Sequence, residues 1–117
     1  MGKLTTHVLD TAAGKPAAGM TIELSVFEGA GWRKLKSLQT NADGRTDAPL
    51  LEGGALEKGQ YRLLFDVAAY YKSQNATLPE PPFLGRVPLR FGIADASLHY
   101  HVPLLCSPWG YTTYRGS

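Results

Sequence analysis

The chain reads as an all-β protein, an antiparallel β-sandwich, on three observations. Apolar and polar residues alternate with period two through several short segments, the mark of strands with one buried face. Turn-forming Gly, Pro, Asn and Asp separate those segments at regular spacing. Only one stretch has the composition of a helix. The 117 residues suffice for one domain, 1–117, with a single core and no need of disulfide staples.

Leu4 to Asp10 is the first expected strand, stopped by Ala13-Gly14-Lys15-Pro16. In the second, Met20, Ile22, Leu24 and Val26 alternate with Thr21, Glu23 and Ser25 up to Phe27. Gly29-Ala30-Gly31 turns the chain into a third strand, Trp32 to Thr40, and Asn41-Ala42-Asp43-Gly44 turns it again. Tyr61, Leu63 and Phe65 form the next alternating face, opposite Gln60, Arg62 and Leu64. Val67 to Gln74, with Ala68, Ala69, Tyr70, Tyr71 and Lys72, suits a short helix. A loop stiffened by Pro79, Pro81 and Pro82 follows, then alternation at Val87, Leu89, Phe91 and Ile93. The last two strands, about His99 to Cys106 and Tyr111 to Arg115, flank the turn Ser107-Pro108-Trp109-Gly110.

Composition excludes several classes of function. A hydrophobic content of 44% with 19% charged residues is that of a globular chain rather than a disordered one. The net charge of +2 is spread along the sequence, which argues against nucleic acid or an anionic membrane surface and leaves room for a small anionic ligand. The single cysteine, Cys106, can form no internal disulfide; in an apolar strand it is expected to act as a small hydrophobe. No apolar run approaches the roughly 18 residues of a membrane span. The opening segment Met1 to His7 lacks a signal-peptide apolar region, so a cytoplasmic location is expected.

The most informative segment is the end of the sequence, where an aromatic and basic run follows a strand carrying His99 and His101. In that strand Tyr100, Val102, Leu104 and Cys106 make the better core face. His99, His101, Pro103 and Leu105 then point away from the interior, on a face too apolar for free exposure and suited to cover by a partner subunit. The first strand repeats the pattern, with Leu4, Thr6 and Val8 opposite Thr5, His7 and Leu9. Thr112 and Tyr114 share one face of the last strand, so three strands can line one groove. Spacing alone does not bring Arg45 beside either histidine.

Three segments carry a resemblance: Leu4-Thr5-Thr6-His7-Val8-Leu9-Asp10, Asn41-Ala42-Asp43-Gly44-Arg45-Thr46, and the run from His99 to the terminal Tyr114-Arg115-Gly116-Ser117. They resemble the 5-hydroxyisourate hydrolases, transthyretin-related enzymes of urate breakdown. Phe65 to Tyr71 is also similar to that family's passage from a strand into its single short helix. The hormone carrier transthyretin lacks the terminal tetrapeptide and the histidines. Trp109 and Cys106 depart from the family's usual residues without falling on a matched site position.

The resemblance implies a transthyretin-like β-sandwich of two four-stranded antiparallel sheets with one short helix. It implies a homotetramer, a dimer of dimers, with active sites in the channel between dimers. The implied catalytic residues are His7, His101, Arg45 and Thr112; the implied substrate-binding residues are His7, Arg45, Tyr114, Arg115, Gly116 and Ser117. Neither cofactor nor metal is implied. The reaction opens the six-membered ring of 5-hydroxyisourate at an amide-like carbon–nitrogen bond, giving 2-oxo-4-hydroxy-4-carboxy-5-ureidoimidazoline. That requires an activated water, a stabilised oxyanion and a proton for the departing nitrogen.

On this expectation His101, oriented by Thr112, activates water and His7 binds or protonates the ring, with the two roles exchangeable. Arg45 supplies a planar set of donors, and Arg115 anchors the tail or adds positive potential. Tyr114 packs on the flat ring, and a chain end seated in the channel should not tolerate added residues. Two rival readings are a non-enzymatic small-molecule binder of transthyretin type and a metal-dependent hydrolase built on His7, His99 and His101, for which no carboxylate or cysteine completes a ligand set.

Overall fold

The computed structural model describes residues 2–117. Strands β1 (Lys3–Asp10), β2 (Lys15–Pro16), β3 (Thr21–Glu28), β4 (Gly31–Gln39) and β5 (Leu51–Glu52) precede a 3-10 turn at Gly53–Ala55. Then come β6 (Gly59–Asp66), helix α1 (Val67–Ser73), β7 (Arg86–Ile93), β8 (Tyr100–Ser107) and β9 (Gly110–Thr113). One sheet runs β2-β1-β8-β9 with β5 also on β1; the other runs β4-β3-β6-β7.

The sandwich and single helix expected from the alternation are present, with the buried residues where period two puts them. Leu4, Val8, Tyr100, Val102, Leu104 and Cys106 face Ile22, Leu24, Leu63, Phe65, Val87 and Leu89 across the core. Two short strands, β2 and β5, escape the sequence because a two-residue ladder has no period to read. Val26 is only half-buried while Ser25 is buried, near a bulge where β4 carries the extra residue Leu35 between the partners of Leu24 and Ser25.

The larger correction concerns strand direction. Within an otherwise antiparallel sandwich, β1 and β8 pair in parallel, with Thr5 opposite His101, His7 opposite Pro103 and Leu9 opposite Leu105. The two strands are joined through the whole opposite sheet, so no hairpin forces them antiparallel. Helix α1 is started by the Asp66 carboxylate, which accepts from Ala69 N–H at 3.2 Å, and ends one residue before the expected Gln74.

An acid at the end of β1 ties this helix to the first sheet. Asp10, 1% exposed, accepts the Tyr70 hydroxyl at 2.8 Å and the Tyr71 hydroxyl at 2.7 Å. The amides of Ala12 and Ala13 complete its shell at 3.1 and 3.0 Å. Burial pushes its carboxyl up, but Tyr71, Tyr70, Ala13 and Ala12 outweigh that and hold it below its ordinary value. Burial also holds the neighbouring Cys106 thiol up at about 11, so it stays protonated and packs as a hydrophobe. No helix among the described residues is long and apolar enough to cross a membrane.

Candidate active site

Alternation along β1 and β8 sends Thr5, His7, Leu9, His101, Pro103 and Leu105 to the outer face of their sheet. Pro103 is buried and Leu9 and Leu105 half-buried, so the histidines stand in a partly apolar floor. His99 lies before β8, exposed and outside the ladder. Among the described residues no three His, Cys, Asp or Glu side chains are grouped as metal ligands.

His7 and His101 are each fixed by one ring nitrogen. His7 donates its Nε2–H to the carbonyl of Asp43 at 2.9 Å, because a carbonyl only accepts; its Nδ1 is left for another partner. The Asp43 carbonyl is aimed by a tight turn. The Asn41 side-chain oxygen accepts from the amides of Asp43 and Arg45, and Val8 N–H reaches Gly44 O at 2.8 Å. Gly44 adopts φ 74°, and a Cβ there would collide with the Val8 carbonyl, so only glycine lets the turn lie against β1.

That docking brings Arg45 to the histidine face, which sequence spacing could not show. Arg45, Lys3, Thr5 and Thr46 line a cavity of about 180 Å³. On the other side of this cavity Thr5 Oγ1 sits 2.8 Å from His101 Nδ1. The bond expected from Thr112 is thus made by Thr5. Thr112 pairs with Leu105, four residues from His101 or about 13 Å along the strand. It shares the outer face of the wall without reaching the ring.

Burial, then the positive charge of Arg45, then that of His7 hold the His101 imidazole below its ordinary pKa of 6.5. A ring so placed is neutral at physiological pH, the state that accepts a proton.

The tail returns to His101 from the opposite side. The register that pairs Leu105 with Thr112 reappears where Gly116 bridges His101, with Gly116 N–H donating to His101 O at 2.8 Å. Between them the ladder lapses beside Pro103, which has no N–H to give, and Thr113 Oγ1 donates to the Pro103 carbonyl at 2.7 Å instead. A Cβ on Gly116 would lie 2.5 Å from His101 Cδ2, so the glycine lies directly against the imidazole.

Arg115 takes the other side of the tail. Its guanidinium lies 4.4 Å over the Tyr100 ring, and Tyr100 belongs to the core face of β8, away from His101. Tyr114 and Ser117 are exposed. Within one protomer, His7, Arg45, His101 and Gly116 therefore converge, whereas Arg115 is held apart. Alternation places Thr5 on the outer face two residues before His7, while the partner of its hydroxyl is set by the parallel register of β1 and β8.

The HIUase/Transthyretin family model matches residues 4–116. Over 116 residues the chain is 56% identical to 5-hydroxyisourate hydrolase 2 of Rhizobium meliloti, covering 99% of this chain and 97% of the relative. The solved structure of Klebsiella pneumoniae 5-hydroxyisourate hydrolase is 36% identical with a TM-score of 0.82, and covers 100% of both chains. Sea bream transthyretin in complex with thyroxine is 29% identical with a TM-score of 0.87, covering 97% of this chain and 94% of that one.

Proposed function

Because the chain belongs to the HIUase/Transthyretin family, we propose that the crevice joining His7, Arg45, His101 and Gly116 is its hydrolytic centre. The protein hydrolyses 5-hydroxyisourate, opening the six-membered ring to 2-oxo-4-hydroxy-4-carboxy-5-ureidoimidazoline in urate degradation. The observation that carries the site is the convergence on one outer face of His7, pinned to the Asp43 carbonyl, and His101, held between Thr5 and Gly116, where the docked turn also brings Arg45.

His101 accepts a proton from water as the water oxygen bonds to the ring carbon. Arg45 binds the oxygen on which negative charge develops, with a planar fork of donors. As the carbon–nitrogen bond breaks, the proton taken by His101 passes to the leaving nitrogen and the imidazole returns to neutral, while His7, pinned through Nε2–H to the Asp43 carbonyl, binds a ring N–H through its Nδ1 lone pair. Thr112 and Tyr114 line the wall further along. Gly116 and Ser117 close the near end, and Arg115 anchors the tail through Tyr100.

The outer face is completed by other copies of the chain in a homotetramer, a dimer of dimers. Supporting this, the face carries the half-buried Leu9 and Leu105. We place the reaction in the cytoplasm, where the single buried Cys106 stays reduced.

A small-molecule carrier is the second reading, favoured by the likeness to sea bream transthyretin. Loss of the ultraviolet absorbance of freshly made 5-hydroxyisourate decides between them. The protein accelerates that loss, and His101→Ala slows it by about a hundredfold or more with the assembly unchanged in sedimentation. Binding without acceleration would establish the carrier instead.

A further inference from the structure

We propose that Thr5 is a positioning residue of the reaction: its hydroxyl oxygen accepts the Nδ1–H of His101 and so keeps the Nε2 lone pair open to the substrate. The proposal rests on the reading of His101 as the proton acceptor.

A neutral imidazole carries one proton, and whatever bonds one nitrogen decides the state of the other. Thr5 Oγ1 is 2.8 Å from Nδ1, and a hydroxyl can donate or accept. If it donated, Nδ1 would hold the lone pair and Nε2 the proton, leaving no base at the ring tip. With Thr5 accepting, Nδ1 keeps its proton and Nε2 is the base. When Nε2 then takes the proton of water, the ring gains one positive charge and both nitrogens become donors. The Nδ1–H to Thr5 bond survives that change and strengthens, because its donor is now charged. No group has to turn during the transfer.

The fold holds this pair without a flexible link. Thr5 and His101 are register partners on adjacent parallel strands, both side chains on the outer face and both half-buried. Gly116 lies against Cδ2 and Cγ, across the ring from the Nδ1 that meets Thr5, so the imidazole is held from two sides. Strand β1 thereby supplies both His7 and the group that sets the protonation of His101.

Nitrogen chemical shifts of 15N-labelled protein, recorded without substrate above the His101 titration, test the assignment. Wild-type His101 shows a protonated Nδ1 and a bare Nε2; Thr5→Val, which preserves shape and strand preference, shifts the population toward protonated Nε2. In the hydrolysis assay Thr5→Val lowers kcat by about tenfold or more with KM changed by less than about threefold, and Thr5→Ser restores both the tautomer and the rate. A wild-type ring protonated at Nε2, or a Thr5→Val variant with unaltered tautomer and rate, would overturn the proposal. Full activity in His101→Ala would instead overturn the reading of His101 as the base, a failure visible apart from the substrate-free spectrum.

Discussion

Gly116 lies directly against His101: the Cβ that the glycine lacks would come 2.5 Å from Cδ2 of the imidazole and 3.2 Å from Cγ. The same residue donates its N–H to the His101 carbonyl at 2.8 Å, so tail and histidine are joined by backbone and by contact. The glycine is demanded by what it touches, since its own φ is not in the left-handed region.

Gly116→Ala therefore pushes the ring off its position or lifts the tail from β8. A displacement of about 1 Å at a reacting group costs on the order of a hundredfold in rate. We expect a loss of that size in kcat with thermal unfolding shifted little, because Gly116 lies outside the core. Unchanged turnover in Gly116→Ala would show that the contact has no bearing on the chemistry.

The pH dependence follows from the lowered pKa of His101. The unfolded ring titrates near 6.5 and the folded one below that, for reasons of burial first, then Arg45 and His7. A base that must be neutral is active above 6.5, and kcat/KM falls as pH drops through the lowered value. Between the two values the unfolded chain binds more protons, so this residue's contribution to stability also declines as pH falls from about 6.5. Arg45→Gln removes one cause and leaves burial, so the His101 titration followed by nuclear magnetic resonance moves upward without exceeding 6.5. A downward move would contradict the assignment.

Asp10 makes a prediction about stability alone. Its carboxylate takes four donors at one buried point, so Asp10→Asn loses the charge that strengthens all four bonds and sets an amide NH₂ against the Tyr70 hydroxyl, which must reverse to accept, or against the Ala12 and Ala13 amides, which can only donate. The cost is about 2–3 kcal/mol, measured by denaturant unfolding. Because the folded carboxyl is held below 3.8, the wild type keeps this contribution above that pH and loses it as pH falls through the folded value. The variant lacks that acid sensitivity and keeps its kcat, since Asp10 lies on the core face, away from His101.

Much of this was legible in the chain itself. Period-two alternation fixes which side of β8 holds Tyr100 and which holds His101, because successive side chains of a strand must point oppositely. The Asn41 to Gly44 turn is likewise written in local chemistry, an Asn that caps amides and a Gly that takes positive φ. Tertiary structure alone decided that β1 runs parallel to β8, which puts Thr5 rather than Thr112 against His101, and that the turn carries Arg45 to them. Alternation specifies a face but neither a neighbour nor a direction; partners 96 residues apart are chosen by the packing of two sheets, to which no local pattern has access.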